Sequence, residues 1–514
     1  MINNMDKFII DDISWNDLSM DAVYDKINTA QSSVGREYLK KILKTELFDE
    51  DALKARSSRA DFFKDHKKIT DKFKKVFKEL GISKKISLYD YIFRFNELKA
   101  RKNLIHYLLA FLLLAAAAFI FIKPVIGIIA VVVMFVVNIS TYFKFKADVE
   151  SYFMCFKYIV RMISAGKKLT KAFKTSGEAK HAAAAAETDG SSAVYDLVKT
   201  IEKDIRDLRT ISKGSWLISN SVSGSLIDVL MDYVRMLFHV DIIKFNDMLK
   251  RASDKCDIID ELFCSLGELE SDICISSYRQ SLDLYCTPLF ITWTPDRNAS
   301  DKDHSDRISF TDVYHPLTEK IVKNSITVDR SVLLTGSNAS GKSTFLKQLA
   351  INQILAQTIY TCLAGEVKTA FFKAISSMAL NDNILANESY FIVEIKSLKR
   401  IFDEISELPV MCFVDEVLRG TNTRERIAAS SQILKKLSEE NALCFAASHD
   451  IELTDILKDQ MDMYHFEEQV EGDDVCFDYK LKQGRAVSSN AIKLLEIYGF
   501  PKELVKEAKK MVEK

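Results

Sequence analysis

From Leu18 to about Ser87, apolar residues recur at helical spacing: Val23 and Ile27, then Tyr38, Leu39, Ile42 and Leu43, then Phe62, Phe63, Ile69, Phe73 and Phe77. That recurrence predicts a set of amphipathic helices. Their polar faces carry Lys67, Lys68, Lys72, Lys74, Lys75 and Lys78, interleaved with Asp61, Asp65, Asp71 and Glu79. Such a run is either a solvated helix face or a patch for nucleic acid or lipid headgroups. Residues 104–143 differ in kind. Leu104–Ile122 holds no charge, Lys123-Pro124 interrupts it, and Val125–Phe143 is again uncharged, 19 residues on each side. At about 1.5 Å per residue, each half nearly matches a hydrocarbon core of roughly 30 Å. The pattern predicts a transmembrane helical hairpin with a tight turn at Lys123-Pro124, against the alternative of a buried hairpin in a soluble protein. Lys99, Arg101 and Lys102 precede it and Lys144 and Lys146 follow, so the basic excess places both chain ends, and with them the rest of the chain, in the cytoplasm.

Beyond the hairpin, Phe153–Leu169 is amphipathic again, Thr175–Ser192 reads as a linker with five consecutive alanines (Ala182–Ala186), and Tyr195 to about Tyr285 is strongly helical. After Pro288 the pattern turns to short apolar runs and turns, the signature of strands. The expected organisation is therefore a helical segment over 1–98, the hairpin over 99–146, a helical, lever-like segment over 147–289 with its linker near 175–192, and an α/β domain over 290–514. The fold class is mixed α and α/β. Composition agrees: 514 residues exceed one ordinary core, and only 16 glycines and 6 prolines favour long helices. A net charge of −1 argues against a surface built throughout for nucleic acid. Nine dispersed cysteines, with no Cys-x-x-Cys pair, fit a reducing compartment.

The chemistry concentrates in the last domain. The apolar run Ser331–Leu334 feeds Thr335-Gly336-Ser337-Asn338-Ala339-Ser340-Gly341-Lys342-Ser343-Thr344, and Phe345–Ala350 continues as a helix. Strand, Gly-x-x-x-x-Gly-Lys-Ser loop and helix form the setting of a phosphate site. In it, backbone N–H groups from Gly336 to Thr344 face phosphate oxygens, Lys342 reaches the β/γ-phosphates and the Ser343 hydroxyl ligates Mg2+. A second apolar run, Pro409–Val414, ends in Asp415-Glu416. Asp415 is expected in the Mg2+ shell and Glu416 as the general base for the attacking water. A third, Leu443–Ser448, ends in His449, which could hydrogen-bond the γ-phosphate or that water. ATP and Mg2+ are the implied cofactors.

Taken together these segments resemble the ATPase domain of the MutS mismatch-repair family. The phosphate loop with Asn338, Asp415-Glu416-Val417-Leu418-Arg419-Gly420-Thr421-Asn422-Thr423, and Ser448-His449-Asp450 are similar to the family's ordered motifs. So are Tyr314-His315-Pro316 and Glu388–Glu394, in which Ser389 would face the nucleotide of another subunit. The resemblance implies ATP hydrolysis at composite sites of a homodimer formed through the ATPase domain, coupled to movement of the helical core. Weaker likeness to the helical core covers Asn28–Arg56 and Leu266–Asp272. Ser337, Ala339 and Ser340 stand where the family has Pro, Met and Gly, and Leu418 stands where it has glycine. The mismatch-reading domain has no counterpart in the first hundred residues, and the apolar hairpin occupies the place of the DNA clamp. The leading expectation is a membrane-anchored MutS-like ATPase held in the lipid bilayer through residues 104–143. The alternative is a tethered DNA-binding repair or damage-sensing ATPase.

Overall fold

A computed structural model describes residues 7–83, 103–177, 190–211, 226–294, 307–337, 340–378, 390–418, 421–471, 474–485 and 499–512. The chain divides into two compact units, one of residues 1–27, 40–57 and 277–514, the other of 28–39 and 58–276.

The second unit is helical. It contains α5 (Lys67–Leu80), α6 (Leu104–Phe119), α7 (Pro124–Lys174), α8 (Gly190–Asp207), α9 (Leu226–Phe238) and α10 (Val240–Ser253), with the second half of α4 (Glu50–Asp65) and most of α11 (Cys256–Ser281). Phe63, Phe73, Phe77, Phe156, Phe173, Phe245 and Phe263 are fully buried in one core. The aromatic positions of the amino-terminal periodicity therefore face inward, and its lysines face water. One of this unit's buried acids sits in an unfavourable electrostatic setting. Asp204 on α8 is fully buried, and burial followed by the Glu261 carboxylate pushes its pKa up to about 7, with Lys203 offsetting part. A carboxyl raised above its unfolded value stabilises the fold most when protonated, and that contribution fades as pH rises from about 4 through about 7. Asp204→Asn is therefore expected to remove a loss of stability on the order of 2–4 kcal/mol between pH 5 and 8. Urea-unfolding midpoints at the two pH values read it directly, and an unchanged pH slope would refute it.

The apolar stretch does not form two equal spans. α6 stops at Phe119 after 16 residues, and Ile120, Phe121 and Ile122 close with i→i+3 bonds to Ala117, Ala118 and Phe119. Pro124 takes the first position of α7, where its missing N–H costs nothing. That helix then runs unbroken for 51 residues to Lys174 instead of ending near Phe143. Its continuation is explained by Phe156, Ile159, Met162, Ile163 and Leu169, which keep a buried stripe going into the helical core. Among the described residues one helix, Pro124–Ala147, is long and apolar enough to cross a membrane, and α6 is an apolar helix too short for that. α6 and α7 pack together. At Gly127 an added Cβ would sit 2.6 Å from the backbone of Ile120, so the two backbones approach as only glycine allows. At their open end, His106 and His239 share a hydrogen bond between their Nδ1 atoms at 2.8 Å, and His239 Nε2 donates to the Asn138 carbonyl.

The first unit is α/β. Its main sheet has the order β14 (Lys482–Gln483), β11 (Asp462–His465), β6 (Val332–Thr335), β10 (Ala442–Ala447), β9 (Val410–Asp415), β8 (Lys373–Ser377), parallel except for β14. A second sheet has the order β3 (Leu289–Phe290), β7 (Glu366–Thr369), β4 (Ile308–Val313), β5 (Asn324–Val328). α12 (Lys342–Ile359) contacts both sheets and is buried almost all round, so its polar residues need partners. Gln348 donates to Val313 O, and Asn352 Oδ1 accepts from Leu363 N at 2.6 Å. The edge strand β8 is sealed by the amino-terminal segment. The N–H groups of Ala374, Ser376 and Met378 donate to Glu46 Oε2, Ser14 Oγ and Asp17 Oδ2 at 3.1, 3.0 and 2.9 Å. Alternate N–H groups of an edge strand are thereby denied to other chains.

Candidate nucleotide site

β6 is buried along its whole length and delivers the chain to Gly336 at the carboxyl end of the sheet. Gly336 has φ +139, and a Cβ there would lie 2.7 Å from the Phe466 carbonyl. Gly341, at φ +106, caps α12. Between them Ser340 is buried, and its Oγ donates to Ser337 O at 2.8 Å. Lys342 Nζ donates to the carbonyls of Gly336 and Ser337, both at 2.7 Å, so the ammonium lies across the mouth of the loop. Ser343 is half-buried and Thr344 exposed in the first turn of α12, where the helix dipole favours an anion. Asn338, Ala339 and Ser389 lie outside the described residues, as do Arg419 and Gly420.

The register of the sheet brings the other candidates to the same edge. β10 lies between β6 and β9, with Ala447 level with Leu334 on one side and Asp415 on the other. One residue past these positions, Glu416 N donates to Ala447 O and Ser448 N donates to Leu334 O, extending the ladder to the rim. Glu416 has φ +60, which turns its side chain out of the strand direction. His449 Nδ1 lies 3.5 Å from Glu416 Oε1. Asp450 is held by Arg426 through two hydrogen bonds of 2.8 and 2.6 Å, which fixes the turn that carries His449. The strands that lead to Lys342, Asp415, Glu416 and His449 thus end side by side at the carboxyl edge of one parallel sheet.

Beside Gly341 and Thr344 opens a cavity of about 300 Å³, walled by His315, Asn324, Phe345, Phe466 and Tyr479 among others. Burial, with Lys347 and Lys26 adding to it, holds the His315 pKa down at about 4, so the imidazole is neutral and Nδ1 accepts from Leu317 N at 3.1 Å. With His315 neutral, Lys320 is the one charged side chain among the described lining residues, and the rings of Phe345, Phe466 and Tyr479 suit an aromatic base. Asn324 braces this pocket by donating to Tyr479 O and accepting from Leu481 N, each at 3.0 Å. His315 was legible as part of a His-Pro pair. Phe466, Tyr479 and Asn324 carry no sequence signal of their own, because they reach the cavity from separate strands and loops.

The donor set for a metal is hard oxygen, the Ser343 hydroxyl and the Asp415 carboxylate. That fits Mg2+, which keeps several waters and takes one or two protein ligands.

Residues 332–514 match the sequence model of MutS domain V, which has a P-loop ATPase fold. This carboxyl-terminal part of the chain is thus similar to the MutS family. Similar MutS proteins include the DNA mismatch repair protein MutS of Pseudothermotoga lettingae, 26% identical over 57% of this chain and 40% of that protein. Another is MutS of Aquifex pyrophilus, 31% identical over 38% of this chain and 24% of that protein. MutS of Natronomonas pharaonis is 26% identical over 64% of this chain and 41% of that protein. The chain thus spans well under half the length of the MutS relatives it matches.

Proposed function

We propose that this MutS-like chain binds and hydrolyses ATP at the crevice between Lys342, Glu416 and His449, and that the apolar helices α6 and α7 anchor it in a lipid bilayer. The observation that carries the first half is the level register of β6, β10 and β9. In the proposed complex the base lies in the cavity of His315, Phe345, Phe466 and Tyr479, and the backbone N–H groups from Gly336 to Thr344 hold the phosphates. Lys342 leaves the carbonyls of Gly336 and Ser337 for the β/γ-phosphate oxygens. Ser343 and, through water, Asp415 would hold Mg2+, which would supply positive charge at those oxygens when bound. Glu416 accepts a proton from the attacking water at Oε1, and His449 orients that water or the γ-phosphate. A second copy of the chain brings its Ser389 segment to the site. Exposed Ile392 and Ile395 on α13 (Tyr390–Glu404) favour such a head-to-tail assembly.

Membrane anchoring rests on the apolar surface of α6 and α7. Leu104, Phe111, Phe121, Ile122, Val125, Ile129 and Val132 are all more than half exposed, in a continuous run with no charge except Lys123. Water does not tolerate so large an apolar patch, and lipid does. Because the two helices pack antiparallel around a short turn, both ends of the pair would lie on the ATPase side, which the flanking lysines would place in the cytoplasm. α7 carries the span directly into the helical core, so movement in that core reaches the bilayer along one helix.

The test is made on membranes of cells producing the full chain. The chain is expected to stay in the pellet after an alkaline wash, to leave it in detergent, and to show ATPase activity there that is lost on chelating Mg2+. Release by the alkaline wash would overturn the anchoring, and absence of ATP turnover in the detergent extract would overturn the enzyme. A DNA-tethering reading keeps the lysines of α5 as phosphate contacts, and duplex binding that weakens steeply with salt would favour it.

A further inference from the structure

We infer that Cys286 and Cys362 form a thiol pair that closes to a disulfide on oxidation and ties down the far end of the helix that starts at the phosphate loop. The two residues form an isolated antiparallel bridge. Cys286 N donates to Cys362 O at 2.9 Å and Cys362 N to Cys286 O at 2.8 Å. Residues exchanging both bonds in this way hold their Cα atoms about 5.5 Å apart, inside the range that a disulfide spans without moving the backbone. Directly opposite residues of an antiparallel bridge carry their side chains on the same face, so the two thiols lie side by side.

The two cysteines have different roles. Cys286 is partly open to solvent, while Cys362 is fully buried. The neighbouring Cys362 side chain and the Val367 N–H hold the Cys286 thiol below its ordinary pKa against the opposing effect of burial, whereas burial pushes Cys362 up. Cys286 is thus the reachable nucleophile and Cys362 the resolving thiol already in contact with it. With a peroxide as oxidant, the Cys286 thiolate attacks one peroxide oxygen. The O–O bond breaks, and the departing hydroxide takes a proton and leaves as water, giving a sulfenic acid. The Cys362 sulfur then attacks the Cys286 sulfur, and the hydroxyl leaves with the Cys362 proton as a second water. Two thiols are oxidised by two electrons and one peroxide is reduced to two waters.

What the bond would restrain is specific. Cys362 follows α12 by three residues, and its thiol also donates to Asn352 O within that helix. Arg279 already grips the intervening carbonyls of Ile359 and Tyr360 and the hydroxyl of Thr361. Cys286 leads into β3, which pairs with β7. A disulfide would join the end of α12 to this strand by a covalent bond.

The experiment treats the purified full chain with hydrogen peroxide and counts free thiols after denaturation, then maps the disulfide by peptide mass. The expected result is loss of two of the nine thiols, with a 286–362 cross-linked peptide lighter by two hydrogens and recovery in dithiothreitol. The fully buried neighbours Cys412 and Cys444 serve as internal controls and stay reduced. Cys286→Ser, at a half-exposed position that leaves the buried thiol in place, should retain its remaining thiols under the same treatment. Peroxide that leaves both thiols free, or that carries Cys286 to a sulfinic acid while Cys362 stays reduced, would overturn the inference.

Discussion

Lys342→Ala is expected to abolish ATP binding, and Glu416→Gln to preserve it while slowing hydrolysis by about 10²–10⁴-fold, the usual range for losing a positioned general base. The two substitutions act on opposite sides of one crevice. Lys342 is buried and donates to the carbonyls of Gly336 and Ser337. Alanine there removes the one ammonium that the loop aims at phosphate, while the carbonyls it contacted stay in place. Glutamine at 416 keeps the size of the side chain and the bond from Glu416 N to Ala447 O, so the positive-φ turn should survive. It cannot accept a proton at neutral pH. The glutamine protein should therefore hold ATP and, if the site is shared between two copies, accumulate as the closed dimer. Equilibrium binding of a fluorescent ATP analogue, single-turnover hydrolysis and size-exclusion chromatography in ATP separate these outcomes. Glu416→Gln hydrolysing at the unmutated rate would remove the general base from Glu416 and leave His449 as the next group to examine.

The pieces of this candidate site stood out in the sequence because a phosphate site of the kind proposed restricts residue types. The positive φ of Gly336 and Gly341 admits little but glycine, and a buried strand ending in Asp415-Glu416 stands out against its apolar run. Their adjacency was harder to read, because it depends on β10 lying between β6 and β9, an order that no local pattern encodes. The base-sized cavity was harder still. Phe466 and Tyr479 are ordinary aromatic residues in strand and turn segments, and only the fold turns them toward Gly341. At the amino terminus, periodicity gave helices but not what they pack on. Ser14, Asp17 and Glu46 are isolated polar residues, and their partners are backbone N–H groups more than 300 positions away. A side chain that pairs with backbone has no partner residue type to signal it. The apolar stretch failed in a different way. Charge-free length located it well, but helix ends depend on what packs beyond them, and the buried stripe after Phe143 carries α7 on to Lys174.

Arg59→Ala is expected to destabilise the helical unit by about 3–5 kcal/mol, the cost of stranding a buried charge. Arg59 on α4 donates Nε to Asp272 Oδ2 at 2.6 Å and pairs with Glu268, both on α11. The Asp272 side chain is fully buried and Arg59 nearly so, whereas Glu268 keeps about a quarter of its surface in water. Without the guanidinium, Glu268 can turn to solvent and Asp272 cannot. The two acids hold the arginine pKa above its ordinary value against the opposing effect of burial, so the pair is favourable only as a whole. This sets a second expectation, of opposite sign. Replacing both partners, Arg59→Met with Asp272→Leu, removes the charge and its counter-charge together and should recover most of the loss, because buried pairs exchanged for apolar side chains of similar volume are often neutral. Since a domain's whole stability is on the order of 5–15 kcal/mol, the single substitution should move the urea midpoint far enough to be unmistakable, and the double substitution should bring it most of the way back. A single substitution within about 1 kcal/mol of the unmutated chain, the range of an exposed pair, would mean that water reaches Asp272, and the helical core would then be open where α4 meets α11.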